Sequence, residues 1–228
     1  MLASMRNPDG SVAVPGFYDD VIPLSDEERK QFASLPFDEQ AYFAELDVNG
    51  ATGEEGYTIL ERRWARPSYD VNGLDSGYQG EGAKTVIPNT AVAKFSFRLV
   101  PNQQPDRIYA LVKEHLQRRC PPGVTMELLD LHGSPGVLVS LDSPGLKAAS
   151  IAIERAFGKA PVYTREGGSI PIVARFQQRL GVDVLLLGWA QDDDNAHAPN
   201  EKFRLDDYHK AIMASGFLWR EIAAQAKG

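Results

Sequence analysis

Residues 91–100 alternate strictly, with Phe95, Phe97 and Leu99 on one side and Lys94, Ser96 and Arg98 on the other. A two-residue period of this kind belongs to a strand with one buried and one solvated face. Such a sheet must find a cover for its apolar side. The cover follows at once: Pro105-Asp106 opens an amphipathic helix whose Ile108, Leu111, Val112 and Leu116 share a face, ended by Pro121-Pro122-Gly123. Upstream, Tyr69, Val71 and Gly73 alternate with Asp70 and Asn72, and a glycine-rich loop is expected over residues 73–82. Residues 124–131 return as a strand. The order β-β-α-β predicts an antiparallel sheet covered on one face by helices.

Ahead of this sheet the chain is loop-rich. Residues 1–6 read as the last turn of a helix whose beginning is absent, and Pro8, Gly10, Pro15, Gly16 and Pro23 make residues 7–23 a loop. Ser25 with Glu28 is a capping-box pattern that predicts a short helix to about Leu35. Further short helices are expected over 38–46 and 56–65, the second stopped by Pro67.

Beyond Gly136 the pattern changes to α/β. Ser143-Pro144 starts a helix that should stop at Gly158, residues 162–165 form a short strand, and 170–180 a helix. Residues 182–188 are continuously apolar, as in a fully buried parallel strand. Leu205, Tyr208, Ile212, Ser215, Leu218 and Ile222 mark the buried stripe of a long final helix. Two strands bury too little to stand as a domain, so a larger sheet should complete this part.

Composition narrows the partners. A net charge of −7 disfavours nucleic acid, whose phosphates require basic patches. No apolar run reaches the roughly 18 residues of a membrane span. The single cysteine, Cys120, excludes an internal disulfide and suits a reducing compartment, so a cytoplasmic protein is expected. At 228 residues the chain can hold one or two domains.

Chemistry concentrates in two places. Glu166 follows the 162–165 strand, Gly167-Gly168 permits a tight turn, and Ser169 caps the next helix. Ligands of open α/β sheets bind at the carboxyl ends of strands, and a helix start offers free N–H groups to an anion. A substrate carboxylate could rest on Gly168 and Ser169. A plain strand-turn-helix corner with a solvated glutamate fits the same residues. His197 follows the second apolar strand, where a neutral imidazole suits Zn²⁺, beside Asp192, Asp193 and Asp194. Zinc needs three or four protein ligands, so one histidine is not a site. Arg98 could bind a carboxylate bidentately, and His132 ends the 124–131 strand, although both types are common on plain surfaces. Glu54-Glu55 reads as a solvated loop, and His115 and His209 as surface or packing residues on helices.

Five segments, in order, carry a resemblance. They are Val14-Pro15-Gly16-Phe17-Tyr18-Asp19, then Gly80-Glu81-Gly82-Ala83-Lys84-Thr85-Val86-Ile87-Pro88, Phe97-Arg98-Leu99-Val100-Pro101-Asn102, Thr164-Arg165-Glu166-Gly167-Gly168-Ser169-Ile170-Pro171 and Ala196-His197-Ala198-Pro199-Asn200-Glu201. Together they resemble the zinc-dependent aminoacylase and dipeptidase family, nearest its carnosine-type dipeptidase branch.

That resemblance implies an α+β lid, or dimerisation, domain over residues 1–135 that lacks its first strand and helix. An incomplete α/β remnant, the C-terminal part of the catalytic domain, would occupy 136–228. It implies hydrolysis of the amide bond of a dipeptide or N-acyl amino acid at two Zn²⁺ ions. Thr85, Arg98, His132, Glu166, Gly168 and Ser169 would contact substrate, His197 would ligate one metal, and the lid would form a homodimer. The family's other ligands, a His-x-Asp motif and a glutamate pair carrying the general base, match nothing here: no histidine is followed two residues later by aspartate. The chain therefore holds no catalytic residue of its own by this reading. It is expected to be inactive without an N-terminal catalytic half, as a truncated product or one half of a split enzyme. A non-catalytic dimerisation or ligand-binding module derived from the family is the alternative.

Overall fold

The computed structural model describes residues 1–166 and 170–225. Two compact units result, one of residues 1–137 with 164–171, the other of residues 138–163 with 172–228.

In the first unit β1 (Ser68–Ser76) pairs antiparallel with β2 (Ala91–Arg98). Tyr69 lies opposite Phe97 and Val71 opposite Phe95, then the register shifts between Val71 and Gly73. Asn72 is the extra residue of a bulge, and the strand runs on to Ser76 where the sequence predicts loop. Glycine inside a strand often marks a bulge, which is the part of the pattern that a loop assignment misses.

The apolar face of this pair is built from aromatic rings. Tyr69 stands 5.3 Å from Phe97, and Phe17 reaches Phe97 at the same 5.3 Å. Over them α4 (Pro105–Gln117) lays Ile108, Val112 and Leu116, and Met5, Val12, Val14 and Phe17 complete the cluster. Each aliphatic side chain so buried is worth about 1.5–3 kcal/mol. Residues 2–5 form a short 3-10 turn, and an antiparallel bridge from Arg6 to Val12 delivers both Met5 and Val12 to the core. The proline-rich stretch that follows is irregular but anchored. Fully buried Gln103 donates to the Phe17 carbonyl at 2.8 Å and accepts from the Val100 N–H at 3.0 Å.

The three short helices form as their caps dictate. In α1 (Asp26–Ala33) both arms of the Ser25/Glu28 capping box are present, and α2 (Glu39–Glu45) is capped by Asp38. A second capping box, Thr58 with Glu61, starts α3 (Ile59–Ala65). Glu54 is not solvated as expected: it grips the Arg66 guanidinium at 2.8 and 2.6 Å. Burial works to lower the Arg66 pKa, and the Glu54 contacts outweigh it and raise it.

In the second unit α5 (Pro144–Phe157) ends at Gly158, whose φ of 72° is the left-handed stop that glycine supplies without strain. It packs along α7 (Leu205–Gln225). Ala148, Ala149 and Ala152 meet a helix whose buried residue is Ala214, so small side chains let the two backbones approach. This corrects the expected stripe of α7. Leu205, Tyr208, Ile212, Ser215 and Ile222 are exposed, and the covered face runs through Lys210, Ala211, Ala214, Phe217, Leu218 and Glu221. Arg155 of α5 seals it, 2.9 Å from Glu221 and over the Phe217 ring. Helix α6 (Pro171–Leu180) likewise leaves Ile172, Phe176 and Leu180 exposed.

Three expected strands take part in no ladder among the described residues: 124–131, 162–165 and 182–188. A strand exists only with an edge to pair with, and the two-stranded sheet is the one ladder described. Met126 and Leu128 still pack on the core, with the Leu128 carbonyl accepting from Tyr109. Residues 182–188 are not buried as predicted, since Val182 and Leu186 are exposed. No described helix is long and apolar enough to cross a membrane.

Candidate functional site

Strand β2 brings Arg98 to its end, opposite Ser68, on the exposed face that also carries Lys94 and Ser96. Arg98 makes no ion pair among the described residues. Its guanidinium is thus available to an anion in solution. Thr85 lies exposed in the irregular connection between β1 and β2. Its neighbours Lys84 and Val86 line a cleft of about 330 Å³ with Tyr78 and Thr90. Lys84 stacks over the Tyr78 ring at 5.4 Å.

His132 is exposed in the loop that leaves the core. Two close approaches seat that loop. A Cβ on Gly133 would lie 2.6 Å from Pro105 Cβ, and one on Gly136 would lie 2.7 Å from the Pro101 nitrogen. A parallel bridge between Pro101 and Gly136 marks the second contact. The Gly-Ser-Pro-Gly sequence thus allows the backbone to ride directly over the start of α4 and the end of β2. No hydrogen bond or ion pair joins Thr85, Arg98 and His132 to one another.

Residues 164–166 group with the first unit. Thr164 and Glu166 are exposed, whereas Arg165 between them is buried. Its Nε donates to Glu28 Oε1 at 2.7 Å, and its two terminal nitrogens donate to the Ile22 and Pro23 carbonyls at 3.3 and 3.5 Å. Sequence reasoning passes over Arg165, and no local signal points to it, because its partner is 137 positions away. The predicted anion corner at Gly168 and Ser169 lies outside the described residues.

His197 sits in the second unit, exposed, with φ +64°. Asn195 and Asn200 are also left-handed, at φ +52° and +63°. Three such non-glycine residues in six positions are costly, and a backbone of this kind persists only where its surroundings over-determine it. They do here. Ala198 N–H bonds the Asn195 carbonyl at 3.0 Å, Lys202 N–H bonds the Asp194 carbonyl at 2.9 Å, and Lys202 Nζ pairs with Asp193. That hydrogen bond holds the Asp193 carboxyl below its ordinary pKa. Asp194 is buried: one oxygen accepts from Gln191 N–H at 2.8 Å, and Oδ1 has no partner among the described residues. Gln191 in turn reaches Asp207 in the first turn of α7 at 3.1 Å.

The donor set does not make a metal centre by itself. Among the described residues no three His, Cys, Asp or Glu side chains converge as a metal requires. His115 is no ligand either, being buried in α4 with Nε2 against Ser4. Among the described residues the first unit presents Thr85, Arg98, His132 and Glu166 to solvent, and the second presents His197.

Comparison with known proteins bears on this arrangement. Residues 2–124 match the peptidase dimerisation domain. The chain is 34% identical to the Cys-Gly metallodipeptidase of Candida albicans over 95% of its own length and 45% of that protein. Against the human Beta-Ala-His dipeptidase the figures are 31%, 98% and 45%. Its fold overlays an M20 family metallo-carboxypeptidase of Sulfolobus solfataricus with a TM-score of 0.83 at 34% identity, covering 95% of this chain and 49% of that one. Human carnosine dipeptidase 1 gives 0.71 at 30%, covering 98% and 48%. The chain spans about half the length of the relatives it matches.

Proposed function

Because the chain belongs to the M20 peptidase family through its peptidase dimerisation domain, we propose that it is the lid and C-terminal portion of a dinuclear-metal hydrolase. That hydrolase would cleave the amide bond of dipeptides or N-acyl amino acids. The observation that carries this reading is the overlay of 95% of the chain on a metallo-carboxypeptidase at a TM-score of 0.83. Residues 1–135 would be the lid and homodimer-forming domain, and 136–228 the end of the catalytic domain. The division of the fold after Val137 supports that boundary, although residues 164–166 group with the first unit.

In this reading Thr85, Arg98, His132, Glu166, Gly168 and Ser169 bind the substrate. Arg98 suits a substrate carboxylate by charge and by its free fork. His197 is the one metal ligand of the chain, and the strained loop that carries it supports a functional role. Bound metal, which we take to be Zn²⁺, would supply a polarised carbonyl and an activated water. The remaining ligands and the general base would come from an N-terminal catalytic half. The lone Cys120 supports a cytoplasmic location.

The test is complementation. The chain is incubated with Zn²⁺ and a dipeptide panel, with bound metal read by elemental analysis, before and after adding the N-terminal half of a metallodipeptidase relative. We expect neither stoichiometric metal nor turnover from the chain by itself, turnover on complementation, and its loss in His197→Ala. Failure to complement would favour a non-catalytic dimerisation or binding module. Turnover without complementation would mean that the ligand set is complete here and that this reading is wrong.

A further inference from the structure

We propose that Arg165 is a positioning residue that fixes the backbone from which Glu166 faces the substrate; this rests on the dipeptidase reading above. The exposure along residues 164–166 alternates: Thr164 and Glu166 are open to solvent, and the Arg165 side chain is only 7% exposed. All three of its guanidinium nitrogens are occupied, by Glu28 Oε1, the Ile22 carbonyl and the Pro23 carbonyl. Three donors in one rigid plane hold a side chain against both translation and rotation, which a lysine or an apolar residue cannot do.

The partner is itself held. Glu28 Oε2 accepts from Ser25 N–H at 2.8 Å and from Ser25 Oγ at 2.9 Å, closing the capping box of α1. Arg165 therefore docks on a helix start whose geometry is already set, and on the two carbonyls just before it. Stability alone does not explain this arrangement. Burying a guanidinium costs desolvation, and exchanging a buried ion pair for packed apolar groups is commonly neutral or better. Geometric definition of residues 164–166 is what the arginine supplies and a methionine would not.

The experiment compares Arg165→Met, Arg165→Lys and, as a control on an unrelated ion pair, Arg155→Gln, each in the full chain. Hydrogen exchange is followed over residues 162–166 together with the melting temperature. Affinity for the dipeptide Ala-Gly is measured by titration with Zn²⁺ and the N-terminal half of a metallodipeptidase relative present. In Arg165→Met we expect the melting temperature to fall, since Glu28 loses its cation. Exchange over residues 162–166 should nevertheless rise about tenfold beyond that of the rest of the chain, and affinity should fall roughly ten- to a hundredfold, since small misplacements of binding groups are that costly. Arg165→Lys should lie between, and Arg155→Gln should match the wild type. Unchanged exchange in Arg165→Met would overturn the proposal whatever the dipeptide does. Faster exchange with unchanged affinity would reduce Arg165 to a structural role and overturn it equally. A wild-type chain that fails to bind Ala-Gly would instead sink the assignment of the substrate-binding residues, and the exchange data would still decide whether Arg165 fixes the Glu166 backbone.

Discussion

Arg165 Nε and Glu28 Oε1 meet at 2.7 Å across 137 positions of sequence, in a contact where the arginine is almost wholly buried. Burial works to raise the Glu28 pKa, but hydrogen bonds from Arg165 and Ser25 outweigh it and hold the carboxyl below its ordinary 4.5. A depressed carboxylate contributes stability that is fully present above the ordinary value and is lost as pH falls through the folded value. Melting temperatures measured from neutral pH to below 4.5 should therefore show an acid-side loss that Glu28→Gln weakens. An unchanged acid limb in Glu28→Gln would dissociate this pair from acid stability.

Gln103 joins the end of β2 to the loop carrying Phe17, with both ends of its amide used and no exposure. Gln103→Leu would leave a buried N–H and a buried carbonyl without partners. The expected cost is about 2–4 kcal/mol, read from the midpoint of urea unfolding.

Gly136 lies where a Cβ would approach Pro101 N and Val100 C at 2.7 and 2.8 Å, atoms of backbone that cannot swing aside. Gly136→Ala should cost about 1–3 kcal/mol and move the loop that bears His132. Denaturant unfolding gives the first quantity, and the shift of the His132 ring resonances reports the second.

The two faces of α7 should respond in opposite ways. Ala214 is buried against α5, so Ala214→Leu overpacks the contact and should destabilise by about 1–3 kcal/mol. Ile212 is exposed, so Ile212→Lys should stay within about 0.5 kcal/mol of the wild type while raising solubility. The reverse order of effects would restore the stripe read from the sequence.

Arg98 is exposed at the end of β2 and makes no ion pair among the described residues, so folding has little stake in its charge. Arg98→Gln should leave the melting temperature unchanged and weaken dipeptide binding about tenfold, the worth of a charge-assisted hydrogen bond. Equal affinity in calorimetric titration would remove Arg98 from the substrate site.

Much of the fold is legible in local pattern. The alternation of residues 91–100, the Ser25/Glu28 capping box and the glycine stop at Gly158 all act within a few residues, and all are present as read. The motif around His197 is legible too, but its left-handed backbone is not, because asparagine and histidine only tolerate that region. The bulge at Asn72 escapes a sequence reading because one glycine can signal a turn or a kink in a strand. Glu54 escapes it for a different reason: its partner Arg66 lies beyond an intervening helix, so the pair exists only once α3 has folded back.

The sequence by itself determined where helices begin and end, which strand face is apolar, and which family the motifs resemble. These depend on capping, backbone preference and period, which are set by near neighbours. Tertiary structure alone decided which side of α7 is covered, that residues 124–131 and 182–188 join no ladder among the described residues, and that Arg165 finds Glu28. Ladder partners and buried ion pairs are contacts between distant segments. Their free energy depends on how close two backbones can come, and on α5 and α7 that distance was set by alanines rather than by the larger apolar stripe.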